Sequence, residues 1–486
     1  MSSSVKRNPP LWWALLTLFL PIGVILYGTV HLGMRPPVLP LVAGLALAAI
    51  MCLAGGRKWD DLQNGMVEAL GRIQIVIAIL VLVGMLIGAW MASGTIPAMI
   101  YWGLKLIAPE HFLPSCLVLC SVASVATGTS FGTMGTLGVA LLGMGQALGF
   151  PPAMTVGAIV SGAYLGDKMS PVSDSTNITA GICEVPLFQH IGSMMWTTMP
   201  AFVVAAVLYV FLGSTQTGSG TTPESLNAVL AGLEAKYPLS LAAFIPPVIM
   251  VVFAYLRFPV LPTMLLCILS AIVLALVNGV DPMVLGKTLT SGHVSDTGLK
   301  QLDTLLSRGG MLSIMPTVLL LSSGVAFGGI LERGGVLEVV LNAMLKGAKS
   351  AVRLVASCLA ASYLINFGTG SQMLAVIVPG RAFLEPFRKA DIHALVLSRT
   401  CEDAGTIGCP LIPWSVHAFY IMGVLGVGAL EFAPYAFLNW LVPVFSLLCA
   451  VTGFGIWRRN GKPVRGRGKG VAPESKWVEE SAADVS

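Results

Sequence analysis

The stretch GDKMSPVSDSTNITA (residues 166–180) places two aspartates and a lysine among small hydroxyl residues, between the apolar runs AMTVGAIVSGAYLG and ITAGICEVPLF. A charged side chain near the centre of a bilayer costs about 2.5 to 3.5 kcal/mol on insertion scales, so such residues persist where they are used. Glycine, proline and Ser/Thr/Asn residues favour an interruption, because they tolerate turns and compete with helical hydrogen bonds. The stretch therefore predicts a broken transmembrane helix that exposes backbone carbonyls.

The composition around this stretch is that of a membrane protein. Of the 486 residues, 55% are hydrophobic and 10% are charged, against about 25% charged residues in soluble domains, which excludes a soluble enzyme. Apolar runs long enough to cross a bilayer recur from Leu11 to Trp457. The first run, LWWALLTLFLPIGVILYGTV, lacks a small-x-small cleavage site and is predicted to be a transmembrane helix, not a signal peptide. The nine cysteines form no C-x-x-C motif, so no structural metal is predicted.

An internal repeat divides the chain into two halves. GMLIGAWMASGTIPAMIYWGLKLI (84–107) matches GVAFGGILERGGVLEVVLNAMLKG (324–347), which is a shift of 240 residues from Gly84 to Gly324. At nearly the same shift, TGTSFGT (127–133) and NFGTGSQ (366–372) each interrupt a hydrophobic stretch. The helices beside each interruption are expected to be too short to cross the membrane twice, which predicts a re-entrant hairpin in each half.

The predicted fold is an all-α polytopic membrane protein with two inverted repeats, each containing a re-entrant hairpin and a broken transmembrane helix, and about 10 to 12 membrane crossings. The inversion requires the amphipathic segments 95–108 and 335–348 to lie at the interface; if they span, the halves are parallel. The predicted divisions are a cytoplasmic N-terminus (1–7), the first repeat (8–212), a polar extracytoplasmic linker (213–238), the second repeat (239–457) and a basic, disordered cytoplasmic tail (458–486).

The basic residues predict the orientation. With the N-terminus inside, the positively charged loops and the tail RRNGKPVRGRGKG fall on the cytoplasmic side, as the positive-inside rule requires. A basic run beside a membrane helix indicates this side of the membrane, and nucleic acid is not predicted as a partner. The loop residues are Arg57, Lys58, Arg72, Lys346, Lys349, Arg381, Arg388 and Lys389.

Oxygen-rich side chains in both halves predict a cation and proton site. Carboxylates, hydroxyls and amide oxygens are the ligands of hard cations, and secondary transporters hold coupling ions at unwound helices. The second half supplies SRTCEDAGTIGCPLIPW (398–414). The candidates for ion and proton binding are Asp167, Ser173, Asp174, Thr176, Asn177, Glu402, Asp403 and Thr406, with Asp174 and Asp403 first among them. The candidates at the hairpin tips are Thr127, Thr129, Ser130 and Thr133, and Asn366, Thr369, Ser371 and Gln372.

Each candidate also has a structural interpretation. Asp174 or Asp403 would cap a half-helix, Asp167 would form an ion pair with Lys168 that pins the broken helix, and Glu402 would point to Arg399. The hairpin-tip residues would serve turn chemistry. Trp414 and His417 are candidates for a substrate pocket, although a single histidine on an apolar helix is more often a core residue.

SGAYLGDKMSPVSDSTN followed by LFQHIGSMMWTTMPA, together with SR-x-x-EDAGT and LIPW, resembles the signatures of NhaC-type Na⁺/H⁺ antiporters over most of residues 73–457. The resemblance implies a secondary transporter of the bacterial cytoplasmic membrane, with two hairpins, two broken helices and an elevator-like motion, without a cofactor. Two departures stand out: CEDAGT replaces LEDSGT, and SVHAFY (415–420) replaces a polar run after LIPW. They remove oxygen donors and favour a bound organic solute.

Two functions follow from these patterns. The first is Na⁺/H⁺ antiport by alternating access, in which a carboxylate binds Na⁺ or a proton in turn. The alternative is Na⁺- or H⁺-coupled transport of a small carboxylate or amino acid. A channel fits the paired broken helices less well, and no nucleophile, base and orienting group occur at a recognisable spacing for an enzyme. The predicted partners are Na⁺, H⁺ and the bilayer, with an organic solute and a second copy of the chain left open.

Overall fold

The structure of the chain is a computed structural model. It describes residues 9–34, 36–216, 223–256, 258–298, 302–303, 306–345 and 350–464. The predicted N-terminal segment 1–7, the loop residues Lys346 and Lys349 and most of the basic tail lie outside the described residues. Within the described ranges, the regular elements are helices accompanied by two isolated β-bridges. The prediction of an all-α polytopic membrane protein is confirmed.

The first half contains helices that follow the order expected from the sequence, with one addition. The additional helix is α3, whose polar residues had been assigned to a loop. The helices are α1 (Leu11–Leu26), α2 (Val38–Ala54), α3 (Trp59–Arg72), α4 (Gln74–Ala92), α5 (Thr95–Leu106), α6 (Phe112–Thr127), α7 (Ser130–Thr133), α8 (Val139–Ala147), α9 (Pro152–Met169), α10 (Asp174–Ile182) and α11 (Leu187–Gln216), followed by a connecting helix α12 (Pro223–Lys236).

The second half repeats this order. It contains α13 (Ile245–Tyr255), α14 (Val260–Val277), α15 (Pro282–Ser291), α16 (Met315–Arg333), α17 (Val336–Leu345), α18 (Ala351–Thr369), α19 (Gln372–Lys389), α20 (Ala394–Gly408), α21 (Val416–Leu425), α22 (Ala429–Phe432) and α23 (Phe437–Thr452). The short helix α15 occupies the place that α3 has in the first half. The two halves thus share a plan of helices, hairpin and broken helix.

The membrane crossings are consistent with this plan. Within the part of the chain that the structure describes, seven helices are long and apolar enough to span a membrane, and the number rises to ten if each bent helix pair is one span. The amphipathic helices α5 and α17 have 12 and 10 residues. At 1.5 Å per residue, α5 is about 18 Å long, too short for a hydrocarbon core of about 30 Å. The length of α5 favours the interfacial placement on which the inverted arrangement depends, whereas α17 is described only as far as Leu345.

The two halves pack reciprocally. Helix α4 of the first half packs on α14 and α15, and its counterpart α16 packs on α2 and α3. The broken helices follow the same rule, because α9 contacts α23 and α20 contacts α11. Such exchanged contacts are those of two units related by a two-fold axis, which is the relation predicted for the repeats.

Glycines allow this close approach. A Cβ atom on Gly88 of α4 would lie 2.8 Å from the carbonyl oxygen of Thr288 in α15. In the reciprocal contact, a Cβ atom on Gly329 of α16 would lie 2.4 Å from the carbonyl oxygen of Gly65 in α3. Small residues at helix interfaces are the usual means of close packing in membranes, where burial of apolar surface gives no driving force.

The hairpins have longer arms than the sequence suggested. The chain turns at Gly128 between α6 and α7 and at Gly370 between α18 and α19, and both glycines adopt positive φ. The segments Pro109–Thr127 and Ala351–Thr369 are 19 residues long and are themselves apolar enough to span. The expectation of arms too short to cross is therefore wrong for these two arms. The re-entrant prediction depends instead on the tips, which end beside the interruptions of the broken helices.

Candidate functional site

The two broken helices are interrupted at corresponding places. The first runs as α9, leaves the helical conformation at Ser170–Ser173 and continues as α10. The second runs as α20 and a short 3₁₀ turn, breaks around Ile412–Ser415 and continues as α21, at an angle of 45° to the first part. The tip glycine of the first hairpin approaches the first break, since a Cβ atom on Gly128 would lie 2.9 Å from the carbonyl carbon of Val172. Each hairpin tip thus meets a broken helix.

Asp167 lies where these elements converge. It is in the last turn of α9, and its two carboxylate oxygens accept hydrogen bonds from Ser173 in the break (2.9 Å) and Ser130 at the first hairpin tip (2.8 Å). The side-chain amide of Gln372, at the second hairpin tip, is also directed at this carboxylate. The side chain of Thr176 bonds the backbone oxygens of Asp167 and Lys168. Hydroxyl groups from the break and the first hairpin and an amide N–H from the second hairpin therefore surround one carboxylate.

Lys168 connects the two broken helices. Its ammonium group forms an ion pair with Asp403 of α20, and both side chains are fully buried. Thr198 of α11 accepts a hydrogen bond from Lys168 (2.7 Å), and Thr197 donates one to Asp403 (2.9 Å). The sequence interpretation in which Lys168 pairs with Asp167 is thus wrong, because the ammonium group points away from the adjacent residue and across to the second half.

Glu402 faces the other side of α20 from Asp403. Its carboxylate accepts a hydrogen bond from Thr179 of α10 (2.6 Å), and Thr406, one turn later, also lies beside it. Gln372 donates to Thr406 (3.1 Å), so one side chain at the second hairpin tip lies between Asp167 and the surroundings of Glu402. Among the described residues, one oxygen of Glu402 is buried without a hydrogen-bond partner.

Arg399 is not the partner of Glu402. Its guanidinium group donates to the backbone oxygen of Gly455 (2.9 Å), near the end of the chain that the structure describes. Arg399 and Glu402 are three residues apart on α20, and their side chains form hydrogen bonds with different segments of the chain. The expectation that Glu402 points to Arg399 is therefore wrong.

The hairpin-tip candidates divide into two groups. Three side chains reach other elements: Ser130 and Gln372, as described, and Asn366, which donates to the backbone oxygens of Ala404 and Gly405. Four others bond their own helices or turns: Thr129 and Ser371 cap the second arms, and Thr133 and Thr369 donate to carbonyls four residues earlier. The hydroxyl of Thr127 is buried and has no hydrogen-bond partner in the part of the chain that the structure describes.

Two candidates in the first broken helix lie away from Asp167. The Asp174 side chain is exposed and lines a cavity of about 320 Å³ beside the first hairpin. Asn177 is exposed as well, and its amide donates to the backbone oxygens of Pro171 and Ser173. Asp174 is thus not a deeply buried carboxylate, and Asn177 stabilises the break.

Trp414 and His417 are packed in the protein interior. The Trp414 indole donates to the backbone oxygen of Phe367 (2.7 Å). His417 bonds the hydroxyl of Tyr164 and contacts the ring of Phe131 at the first hairpin tip. These contacts join the second broken helix to both hairpins, and they are those of core side chains.

Sequence reasoning missed several side chains that the structure brings to these carboxylates. Thr179 bonds Glu402, and Thr197 and Thr198 surround the ion pair of Lys168 and Asp403. Thr197 and Thr198 belong to the second segment quoted for the family resemblance, and Thr179 follows the first segment by two residues. Their spacing from the carboxylates gives no local signal, because the contacts join distant parts of the chain.

The chain is similar in sequence to known proteins. The model of the Na⁺/H⁺ antiporter family matches residues 38–176 and 162–454. The chain is 36% identical to the Na⁺/H⁺ antiporter NhaC of Alkalihalophilus pseudofirmus, over 94% of this chain and 98% of the relative. It is 34% identical to the NhaC of Bacillus subtilis (92% and 99%) and 32% identical to the malate-2H⁺/Na⁺-lactate antiporter of Bacillus subtilis (94% and 98%).

Proposed function

Because the chain belongs to the Na⁺/H⁺ antiporter family, and is a multi-pass protein of the bacterial membrane, we propose that it exchanges Na⁺ for H⁺ by alternating access. The three relatives compared are all named as antiporters. Transport without a chemical reaction is therefore the proposed activity. The transported ions and the lipid bilayer are the proposed partners. A homodimer is proposed as well, and the mass of the purified protein complex tests it.

The observation that carries this proposal is the position of Asp167. Hydroxyl groups from the break and the first hairpin bond its carboxylate, and an amide from the second hairpin faces it. A hydroxyl group rotates freely, so it donates to a carboxylate when the site is empty and offers an oxygen lone pair when a cation is bound. The same oxygens thereby serve a proton on Asp167 or a Na⁺ ion beside it, and one ion excludes the other.

Glu402 is the second carboxylate of the proposed mechanism. It is connected to the Asp167 site through Gln372 and Thr406, and one of its oxygens is free among the described residues. Glu402 is the next acidic group along this line of polar side chains, and Gln372, whose amide N–H groups donate in both directions, holds the surroundings of the two carboxylates together and does not relay a proton. Movement of the second hairpin breaks the line, because Gln372 is part of the hairpin tip.

The ion pair of Lys168 and Asp403 has a different proposed role. Asp403 pairs with Lys168 and accepts a hydrogen bond from Thr197, and Thr198 accepts one from Lys168, whereas the second oxygen of Asp403 is buried without a hydrogen-bond partner among the described residues. The pair holds the two broken helices in register beside the Asp167 site, so we assign it to positioning. Asp403, first among the candidates from the sequence together with Asp174, is thus replaced by Asp167 as the proposed shared carboxylate.

Flux measurements in proteoliposomes test the proposal. With an imposed pH gradient, the protein is expected to take up ²²Na⁺, and Asp167→Asn is expected to reduce the uptake at least about a hundredfold, since a neutral side chain cannot exchange a proton for a cation. Asp60→Asn is the matched control, because Asp60 lies exposed in the first turn of α3. Uptake by Asp167→Asn at the rate of the control would contradict the proposal.

A second candidate function is coupled transport of an organic solute. It is favoured by the relative that is named for malate and lactate and is 32% identical to this chain. Thermal-stability screening of metabolites separates the two functions. Only solute coupling predicts that Na⁺ and a solute stabilise the protein more together than the sum of their separate effects.

A further inference from the structure

The cavity beside the first hairpin is apolar on most of its surface and acidic at one point. The hairpin arms form one wall, and helices α13 and α14 of the second half form the other. Met250 and Phe258 lie on the wall from the second half, and Leu137 lies on the hairpin. The hydroxyl-bearing residues on the hairpin side include Thr127, whose oxygen is buried and finds no hydrogen-bond partner among the residues that the structure describes.

Asp174 is the charged residue in the lining of this cavity. Its side chain is exposed, and within the described part of the chain it forms no hydrogen bond and no ion pair. It stands in the first turn of α10. The cavity therefore combines an uncompensated negative charge, an unused hydroxyl group and apolar walls.

We propose that this cavity binds a small organic cation whose charged head pairs with Asp174 and whose apolar part packs against Met250 and Phe258. A bare Na⁺ ion is a poor fit, because hard cations require several oxygen ligands and this lining is mainly apolar. An organic anion is disfavoured by repulsion from Asp174. A guanidinium or ammonium group on a short alkyl chain satisfies the carboxylate, the Thr127 hydroxyl and the walls together, and an aromatic ring adds attraction for a cation.

The site is coupled to the one proposed for Na⁺. Asp174 is close enough to Asp167 for their charges to interact, and the two sites lie on either side of the same break. A cation bound at Asp174 repels a second cation at Asp167. The organic cation is therefore expected to inhibit Na⁺ uptake by raising the Na⁺ concentration needed for half-maximal flux. This part of the inference rests on the proposed antiport function, whereas binding in the cavity does not.

Butylguanidinium is the probe, since it carries a permanent charge and does not dissipate a pH gradient. Butylurea is its neutral isostere and butanesulfonate its anionic counterpart. Binding is measured as thermal stabilisation of the purified full-length protein, and inhibition as the change in ²²Na⁺ uptake by proteoliposomes. We expect butylguanidinium to bind. Butylurea should bind at least about tenfold more weakly, because it loses the charge-assisted hydrogen bond to Asp174. Butanesulfonate should have no effect, because its negative charge is repelled by that carboxylate.

Asp174→Asn is expected to weaken butylguanidinium binding at least about tenfold and to relieve inhibition, while Na⁺ uptake without the probe continues. Ala123→Trp, which fills the cavity from the hairpin side, is expected to abolish binding even if Asp174→Asn fails to fold. Equal binding of butylguanidinium and butylurea, or full binding by both variants, would overturn the inference. A wild-type protein that binds the probe and moves no Na⁺ would overturn the antiport function and leave the cavity assignment supported.

Discussion

The buried ion pair between Lys168 and Asp403 makes a quantitative prediction about stability. Both side chains have no exposed surface, and they belong to the two halves of the molecule. Lys168→Met leaves the Asp403 carboxylate in the interior with a single hydrogen bond from Thr197. Asp403→Leu leaves an ammonium group with the hydroxyl of Thr198. Either change leaves one charge buried without its ion-pair partner.

The magnitude follows from the burial. Two unit charges about 4 Å apart attract by about 4 kcal/mol at an effective dielectric constant of about 20. Breaking a buried pair by removing one partner costs about 3 to 5 kcal/mol, because the remaining charge is uncompensated. Each single variant should therefore lose about two to four powers of ten in the equilibrium constant between folded and unfolded protein. The double variant Lys168→Met/Asp403→Leu has no stranded charge and should be more stable than either single variant.

Unfolding in mixed micelles of increasing SDS fraction gives the free energies for this double-mutant cycle. The exposed pair of Glu385 and Arg388 on α19 provides the control, and Glu385→Gln should cost less than about 1 kcal/mol because water screens the charges. If Lys168→Met and Asp403→Leu cost no more than this control, or if their costs simply add in the double variant, the two charges do not form the pair described.

Two further predictions concern packing and surface charge. Gly166→Ala should destabilise the protein by about 1 to 3 kcal/mol in the same SDS titration, because the added Cβ atom would lie 2.3 Å from the α6 backbone. Gly192→Ala is the control and should be neutral or slightly stabilising, because no atom of the described residues lies within 4 Å of its added Cβ. The Arg333 guanidinium beside Glu68 holds the pKa of that carboxyl below its usual value. The pair therefore stabilises the fold at pH values above about 4.3, the pKa of Glu in the unfolded chain. This stabilisation is lost as the pH falls through the lower pKa of Glu68 in the folded protein. Glu68→Gln should accordingly lower the melting temperature at pH 7 and low salt, and the difference from wild type should shrink toward pH 3 and in 1 M salt; a difference independent of both would contradict the ion pair.

Local interruptions made much of the fold predictable. The breaks and the hairpin turns coincide with glycine, proline and hydroxyl residues that stand out against apolar flanks, as at Gly128, Ser170 and Gly370. These signals are read from neighbours along the chain. Helix α3 was missed because its charged residues, such as Asp60 and Arg72, resemble a loop when the helical face they cover is unknown.

The candidate site was predictable in its residue types but not in its pairings. Lys168 has a carboxylate beside it in sequence, yet it pairs with Asp403, 235 residues away. Which carboxylate an ammonium group meets depends on how helices from different halves pack, and no local pattern contains that information. For the same reason Asp174, close to Asp167 in sequence, was expected in the interior, although α10 turns its side chain to a cavity.

The reciprocal packing of α4 and α16 has a consequence for biosynthesis. The glycine-bearing face of α4 fits α15, which the ribosome produces about 200 residues later. Until α15 has been synthesised, this face of α4 lacks the neighbour that it has in the folded protein. The first half is therefore inserted before its tertiary contacts are complete, and it completes its packing only when the second half is present.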